Sequence, residues 1–367
     1  MKKETATTTM SFRDIFGPQL TKEEALQKLK SDRISYNSFL EFPDGFQDEL
    51  LDFIMGKRSL YATYDVFFKH ILSPINHPNR LEDFISATLG MSVEILDVLP
   101  NEGYTVTERG ALIIMDIIIR TSDGSIINVE MQKIGHSFPG QRAECYIADS
   151  IIRQYKYAKE KNPDHFSYSK IRPSYLIILM EDSPIEFRKA SPNYIHIRKV
   201  SYNTGIKLPS LENIHYISLD TFNKVMQNKD IESELDAWLT FFSCTDPVRI
   251  SRLIKRYPKF TSMYQDISRL RLDMKGLINM LSSSLAEADY YNELYMIREM
   301  KKEKDVLEAE IANTRAEIAD AKAEIADAKA EIADKDAEIA SMKLVINNDK
   351  DTIKMLMAEI EQLKCIK

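Results

Sequence analysis

The chain of 367 residues carries 49 basic and 56 acidic side chains, a formal net charge of −7, and 44% hydrophobic residues. That length fits one large domain plus extensions, and that composition can bury a sizeable core, which excludes a disordered, collagenous or linker-dominated chain. The acidity is uneven: residues 58–260 hold 25 basic and 24 acidic side chains, whereas residues 261–367 hold 16 and 22, so a basic surface in the middle region is compatible with the negative total.

No apolar run reaches the roughly 18 residues that a membrane span needs. The N-terminal MKKETATTTMSFRD starts basic but lacks the apolar segment of a secretory signal. Cys145, Cys244 and Cys365 are too few and too scattered for a disulfide framework. A cytoplasmic protein with no membrane partner is expected.

Residues 1–57 predict a short helix near 21–30 and another near 45–55, and otherwise form an unassigned extension. From about 58 to 220 the pattern is mixed α and β. Tyr64–Leu72 and Arg80–Leu89 read as helices. Ala111–Arg120 reads as a strand, Ser122-Asp123-Gly124 as a turn and Ser125–Gln132 as a second strand. Gln141–Glu160 has helical spacing, and Ser174–Met180 is a buried strand by pattern. Tyr194–Tyr202 and Ile214–Leu219 are further strands. Residues 231–299 read as helical, with breaks at Asp246-Pro247 and Tyr257-Pro258.

The tail, residues 301–367, is periodic. Isoleucines stand at 311, 318, 325, 332, 339, 346, 353 and 360, a seven-residue repeat that predicts a left-handed coiled coil. A single solvated helix rich in Ala, Glu and Lys is the alternative. With Ile at position a, the g positions read Glu310, Glu317, Glu324, Glu331 and Glu338. The e positions read Arg315, Lys322, Lys329, Asp336 and Lys343. In a parallel coil g meets e′, which sets Glu against Lys or Arg; an antiparallel coil sets like against like. A parallel homo-oligomer is expected, with two chains preferred and three left open by Ala at d. Residues 306–363 would extend roughly 87 Å at about 1.5 Å per residue.

Chemistry concentrates around the Ser-Asp-Gly turn. A three-residue loop centred on Asp123 places Asp116 opposite Glu130, with Cβ atoms roughly 5 Å apart. Gln132 shares the face of Glu130. Both acids interrupt runs that otherwise read as buried, IIMDIII and IINVEMQ. Burying two carboxylates together is costly unless a cation or protons compensate. Oxygen ligands on rigid strands suit Mg2+, which takes one or two carboxylates plus water and phosphate. A strand end at which both acids reach solvent is the alternative, since a one-residue slip would separate the pair.

Three pieces in series carry a family resemblance. They are YDVFFKHIL (64–72), with Asp65, Phe68 and Lys69; MDIIIRTSDGSIINVEMQ (115–132); and GQRAECYIADSIIRQY (140–155), with Arg142 and Tyr146. Together they resemble the PD-(D/E)XK nuclease family transposases, which include the recombination-promoting nucleases, over about 58–300. The resemblance implies an α/β fold with a restriction-endonuclease-like core, a mixed sheet flanked by helices. It also implies metal-dependent cleavage of DNA phosphodiesters. Asp116 and Glu130 would then hold Mg2+ (or Mn2+), with the Met131 carbonyl as a further oxygen ligand. Typical members carry a lysine two residues after the acid. Here Gln132 stands in its place and can hold a water but supplies no charge. Lys69 is the candidate for the missing charge, or else a surface lysine.

Other residues have two readings each. Asp65 is an additional acid of the site or a helix cap. Arg142 contacts phosphate or makes a structural pair. Tyr146 reads as core packing. Arg249, Arg252, Lys255, Arg256 and Lys259 form a basic stripe that would track a DNA backbone, or a solvated face. The six histidines lack ligand spacing, which speaks against zinc. Two functions fit: a Mg2+-dependent DNA endonuclease of the transposase or recombination-promoting kind, or a catalytically inactive nuclease-fold interaction protein oligomerised by its coil.

Overall fold

The computed structural model describes residues 10–101, 115–134, 140–161 and 163–364. The chain divides into two compact units, Met1–Ala286 and Glu287–Lys367.

The first unit opens with helices α1 (Phe12–Phe16), α2 (Lys22–Lys30), α3 (Arg33–Glu41) and α4 (Asp44–Ile54). Local signals start them. Ser11 and Thr21 form capping boxes with Asp14 and Glu24, and Asp32 caps the Ile34 amide. Helices α5 (Asp65–Ile71) and α6 (Pro78–Leu89) follow. Then come β1 (Ile95–Val98), β2 (Ile117–Thr121), β3 (Ile126–Ile134), α7 (Gly140–Lys161), β4 (Ser174–Asp182), α8 (Ile185–Lys189), β5 (Ile195–Ile197) and β6 (Glu212–Ser218). Helices α9 (Leu219–Met226), α10 (Glu234–Ser243), α11 (Pro247–Arg256), α12 (Phe260–Leu270) and α13 (Met274–Lys364) complete the order.

The strands form one mixed six-stranded sheet in the order β1-β2-β3-β4-β6-β5. β1, β2 and β3 run antiparallel in sequence, β3 pairs parallel with β4 and β4 with β6, and β5 is antiparallel to β6. The period of two decides what each strand buries on which side. Ile117, Ile119, Ile127, Val129, Met131, Ile177 and Leu179 enter a large core with the surrounding helices. Ile118, Ile126, Leu176, Ile178 and Met180 pack on the other face against Ala143, Tyr146 and Ile147 of α7. Both faces are therefore covered by helix, which is why the central strands read as unbroken apolar runs.

Several expectations shift in extent. The first part of the strand expected at Ala111–Arg120 lies outside the described residues, and β2 begins at Ile117. The strand expected at Tyr194–Tyr202 shrinks to Ile195–Ile197, and Val200 and Tyr202 are exposed beyond it. Leu219 starts α9 rather than ending β6. The Asp246-Pro247 break is a helix start, since the Asp246 side chain accepts from the Arg249 amide at 2.8 Å and Pro247 occupies the first turn.

Residues 10–57, set apart in the sequence as part of an extension, share the large core. Phe12, Phe16, Leu29, Phe39, Leu50 and Phe53 are buried in it. Arg271 fastens them further, donating to the carbonyls of Phe16, Ile54 and Pro18. Its guanidinium fills the space where a Cβ at Gly56 would stand, 2.8 Å away, and Gly56 has φ +75°, so only glycine serves there.

The second unit is helical, and its row of isoleucines from Ile311 to Ile360 lies about half exposed along the single chain. No described helix is long and apolar enough to cross a membrane.

Candidate active site

The hairpin of β2 and β3 positions the central residues. Its turn is built by side chains: Asp123 accepts from Thr121 Oγ1 at 2.5 Å and from the Ser125 amide at 3.1 Å. Gly124 has φ +89°, the left-handed region that glycine supplies without a steric cost. The resulting register pairs Ile117 with Val129 and Ile119 with Ile127, which sets Asp116 beside Glu130. Two backbone amides cross-link the acids. The Asp116 N–H donates to Glu130 Oε1 at 3.2 Å, and the Met131 N–H donates to Asp116 Oδ2 at 2.8 Å.

Helix α5 brings a cation to this pair. Lys69 Nζ lies 2.9 Å from Asp65 Oδ1 and 3.3 Å from Asp116 Oδ1. Asp65 and Lys69 stand one helical turn apart, so both reach the end of β2 from one face of α5. Asp65 therefore meets the site through Lys69, and it is the first residue of α5 rather than its cap, a position that Tyr64 takes.

The electrostatics are those of crowded, desolvated acids. Glu130 is buried, and that burial, with the neighbouring charge of Asp116, pushes its carboxyl far above the usual range. Burial likewise raises Asp116, against the opposing pull of Lys69. Burial pulls Lys69 down, but Asp116 and Asp65 outweigh it and hold the ammonium above its ordinary value. A second cation approaches from α7: Arg142 opposes the shift of Glu130 and donates to the Tyr146 hydroxyl at 2.7 and 3.0 Å. Tyr146 is buried beside Glu130, and burial followed by that acid's charge pushes its hydroxyl up to about 12.

Two desolvated carboxylates side by side could be held together by a hard divalent cation. Among the described residues no group of three or more His, Cys, Asp or Glu side chains converges to hold a metal. Two carboxylates would leave room for the water and phosphate ligands that Mg2+ retains.

Gln132 is half-buried, two residues before the end of β3. The basic stripe on α11 is split by the packing. Arg252, Lys255 and Arg256 are exposed, whereas Arg249 has a buried Nη2 and Lys259 is paired with both Asp83 and Glu234. One polar neighbour escapes sequence reasoning. Asn128 is buried two residues before Glu130 on the same face, close enough to favour its ionised form, although neither amide atom makes a well-aligned hydrogen bond. Its place in the face-sharing series 128, 130, 132 was the available signal.

The chain matches no curated protein and no solved structure at a significant level. A family model described as PD-(D/E)XK nuclease family transposase matches residues 62–299, more than half of the chain. That span contains α5, the hairpin and α7, the elements that assemble the acid pair with its lysine and arginine, and the chain belongs to the PD-(D/E)XK nuclease family transposases.

Proposed function

We propose that the protein is a divalent-metal-dependent DNA endonuclease that hydrolyses phosphodiester bonds. The observation that carries the reading is the juxtaposition of Glu130, buried in β3, with the partly buried Asp116 just before β2, and Lys69 3.3 Å from Asp116. Asp116, Glu130 and the Met131 carbonyl would hold Mg2+ or Mn2+. Such an ion, when bound, lowers the pKa of a water and neutralises charge on the scissile phosphate.

The chain's own residues do the rest. Gln132 orients a water through its amide. Lys69 supplies the positive charge that Gln132 lacks, and Asp65 holds Lys69 in place. Arg142 lies at the start of α7, where it can meet a phosphate oxygen. On α11, the exposed Arg252 and Arg256 would follow the DNA backbone, with Arg249 beside them.

The exposed isoleucine row and the alternating Glu and Lys beside it support a parallel coiled coil between two copies of the chain.

Plasmid cleavage with Mg2+ or Mn2+ tests the reading. Wild type should cut, and Asp116→Ala and Glu130→Ala should lose at least about 100-fold in rate while remaining folded. If both variants cut like wild type, the site is misassigned. A wild type that binds DNA without cutting it would favour an inactive nuclease fold serving as an interaction module.

A further inference from the structure

A second polar cluster gathers at the same end of β3, on the opposite face from the acids. Lys133 follows Gln132, so the strand's alternation turns the two side chains to opposite sides. Lys133 Nζ lies 3.3 Å from the centroid of the Tyr64 ring. Across the ladder, the pairs Gln132–Met180 and Ile134–Asp182 place Lys133 beside Glu181 of β4. Thr63 Oγ1 donates to Glu181 at 2.5 Å. Glu49 of α4 lies against the Tyr64 hydroxyl and acts on Lys133. Arg58 stands 3.6 Å from Glu49 and donates to Thr245 Oγ1 at 2.7 Å. Two acids thus face two cations around one tyrosine ring, and Phe46 and Phe67 hold that ring at centroid distances of 5.3 and 6.0 Å.

The position of this cluster gives it a role. Tyr64 immediately precedes Asp65, and Lys133 immediately follows Gln132. One ammonium–ring contact therefore joins the start of α5, which carries Asp65 and Lys69, to the end of β3, which carries Glu130 and Gln132. An ammonium over an aromatic face is held by the ring's negative face, with no requirement for a single bonding angle. Glu49 and Arg58 lie before residue 62, outside the matched family span.

We infer that Lys133 is a positioning residue. Seated on Tyr64 between Glu49 and Glu181, it pins the end of β3 to α5, aims Gln132 into the acid site and keeps Lys69 against Asp116. It does not itself touch the reacting phosphate, because its side chain is on the far face of the strand. The kinetic part of this inference rests on the nuclease reading; the structural part does not.

The test compares Lys133→Met, Lys133→Arg and Tyr64→Leu with wild type in the full-length, metal-free protein. Hydrogen exchange is followed in the peptide covering 126–134, with 212–218 of β6 as the internal reference. Lys133→Met and Tyr64→Leu should each speed exchange near Met131 by about 10-fold or more and leave the reference unchanged. Lys133→Arg, which keeps a cation over the ring, should restore protection. In cleavage assays Lys133→Met should lose about 10-fold in kcat with KM for DNA changed by less than about twofold, as expected for misaligned groups. Wild-type exchange in Lys133→Met, or in Tyr64→Leu, would overturn the clamp. A loss confined to KM, with a weaker salt dependence, would also overturn it and make Lys133 a phosphate contact. A wild type that cuts no DNA would sink the nuclease reading and leave the exchange result to decide the clamp.

Discussion

At the residue scale, the acid pair carries a definite pH signature. Burial raises the carboxyls of Asp116 and Glu130 in the folded chain. A carboxyl raised on folding lends stability that is fully present below its unfolded pKa and is lost as pH climbs through its folded pKa. The metal-free protein should therefore lose stability as pH rises above the ordinary carboxylate range. Glu130→Gln should flatten that slope and raise Tm at pH 8 by about 2–4 °C, the shift that about 1 kcal/mol gives a domain of this size. Thermal melts in a chelator between pH 5 and 8 check this; an unchanged slope would mean that Glu130 ionises freely in the fold. Gln132 offers a second probe. Lys69→Met should lose about 10–100-fold in cleavage, and adding Gln132→Lys should recover part of it, since both lysines would place charge beside the same phosphate. Cleavage rates of the single and double variants decide the matter, and a double variant as inactive as Lys69→Met shows that the amide geometry cannot be replaced.

At the element scale, the hairpin register was legible because three local constraints agree. A three-residue turn, the alternation of the strands and the run of buried residues favour the same pairing over a one-residue slip, and β2 and β3 adopt it. Gly124→Ala should cost about 1–2 kcal/mol, the penalty of a side chain at positive φ, and its Cβ would also meet Arg172 Cγ at 3.3 Å. Urea denaturation measures that loss; a neutral result would mean that the turn relaxes to another type. Edge strands were less legible. Among the described residues Ile95–Val98 pairs with β2 alone, through a bulge between Ile95 and Asp97, and its burial does not alternate, so its sequence carries no period. Ile197, Val200 and Tyr202 suggested a longer strand, yet they are exposed, and β5 stops at Ile197. The α11 stripe looked continuous because spacing records which side of a helix a residue takes but not what packs there. Arg249 turns out half-buried and Lys259 paired.

At the scale of the whole molecule, the exposed isoleucine row predicts association. Eight isoleucines about half exposed on one helix form the kind of apolar stripe that soluble helices cover. Full-length protein at micromolar concentration should be a dimer by light scattering, and Ile325→Lys with Ile332→Lys should shift it to monomer. Truncation after Tyr295 should do the same. A full-length monomer, or a truncation that stays fully dimeric, would show that the tail does not assemble the protein.

What the sequence determined by itself is what acts over short range. Capping residues, turn residues and periods of 2, 3.6 and 7 marked the elements of the core, the pairing of Asp116 with Glu130 and the isoleucine row of the tail helix. These signals are local because they arise from backbone sterics and from which side of one element is apolar. Tertiary structure alone decided the long-range meetings. It brought Lys69 to Asp116, seated Lys133 on Tyr64 and folded residues 10–57 into the same core. Such contacts join segments far apart in the chain, and they follow from how helices cover the two faces of the sheet, which no single stretch of sequence encodes.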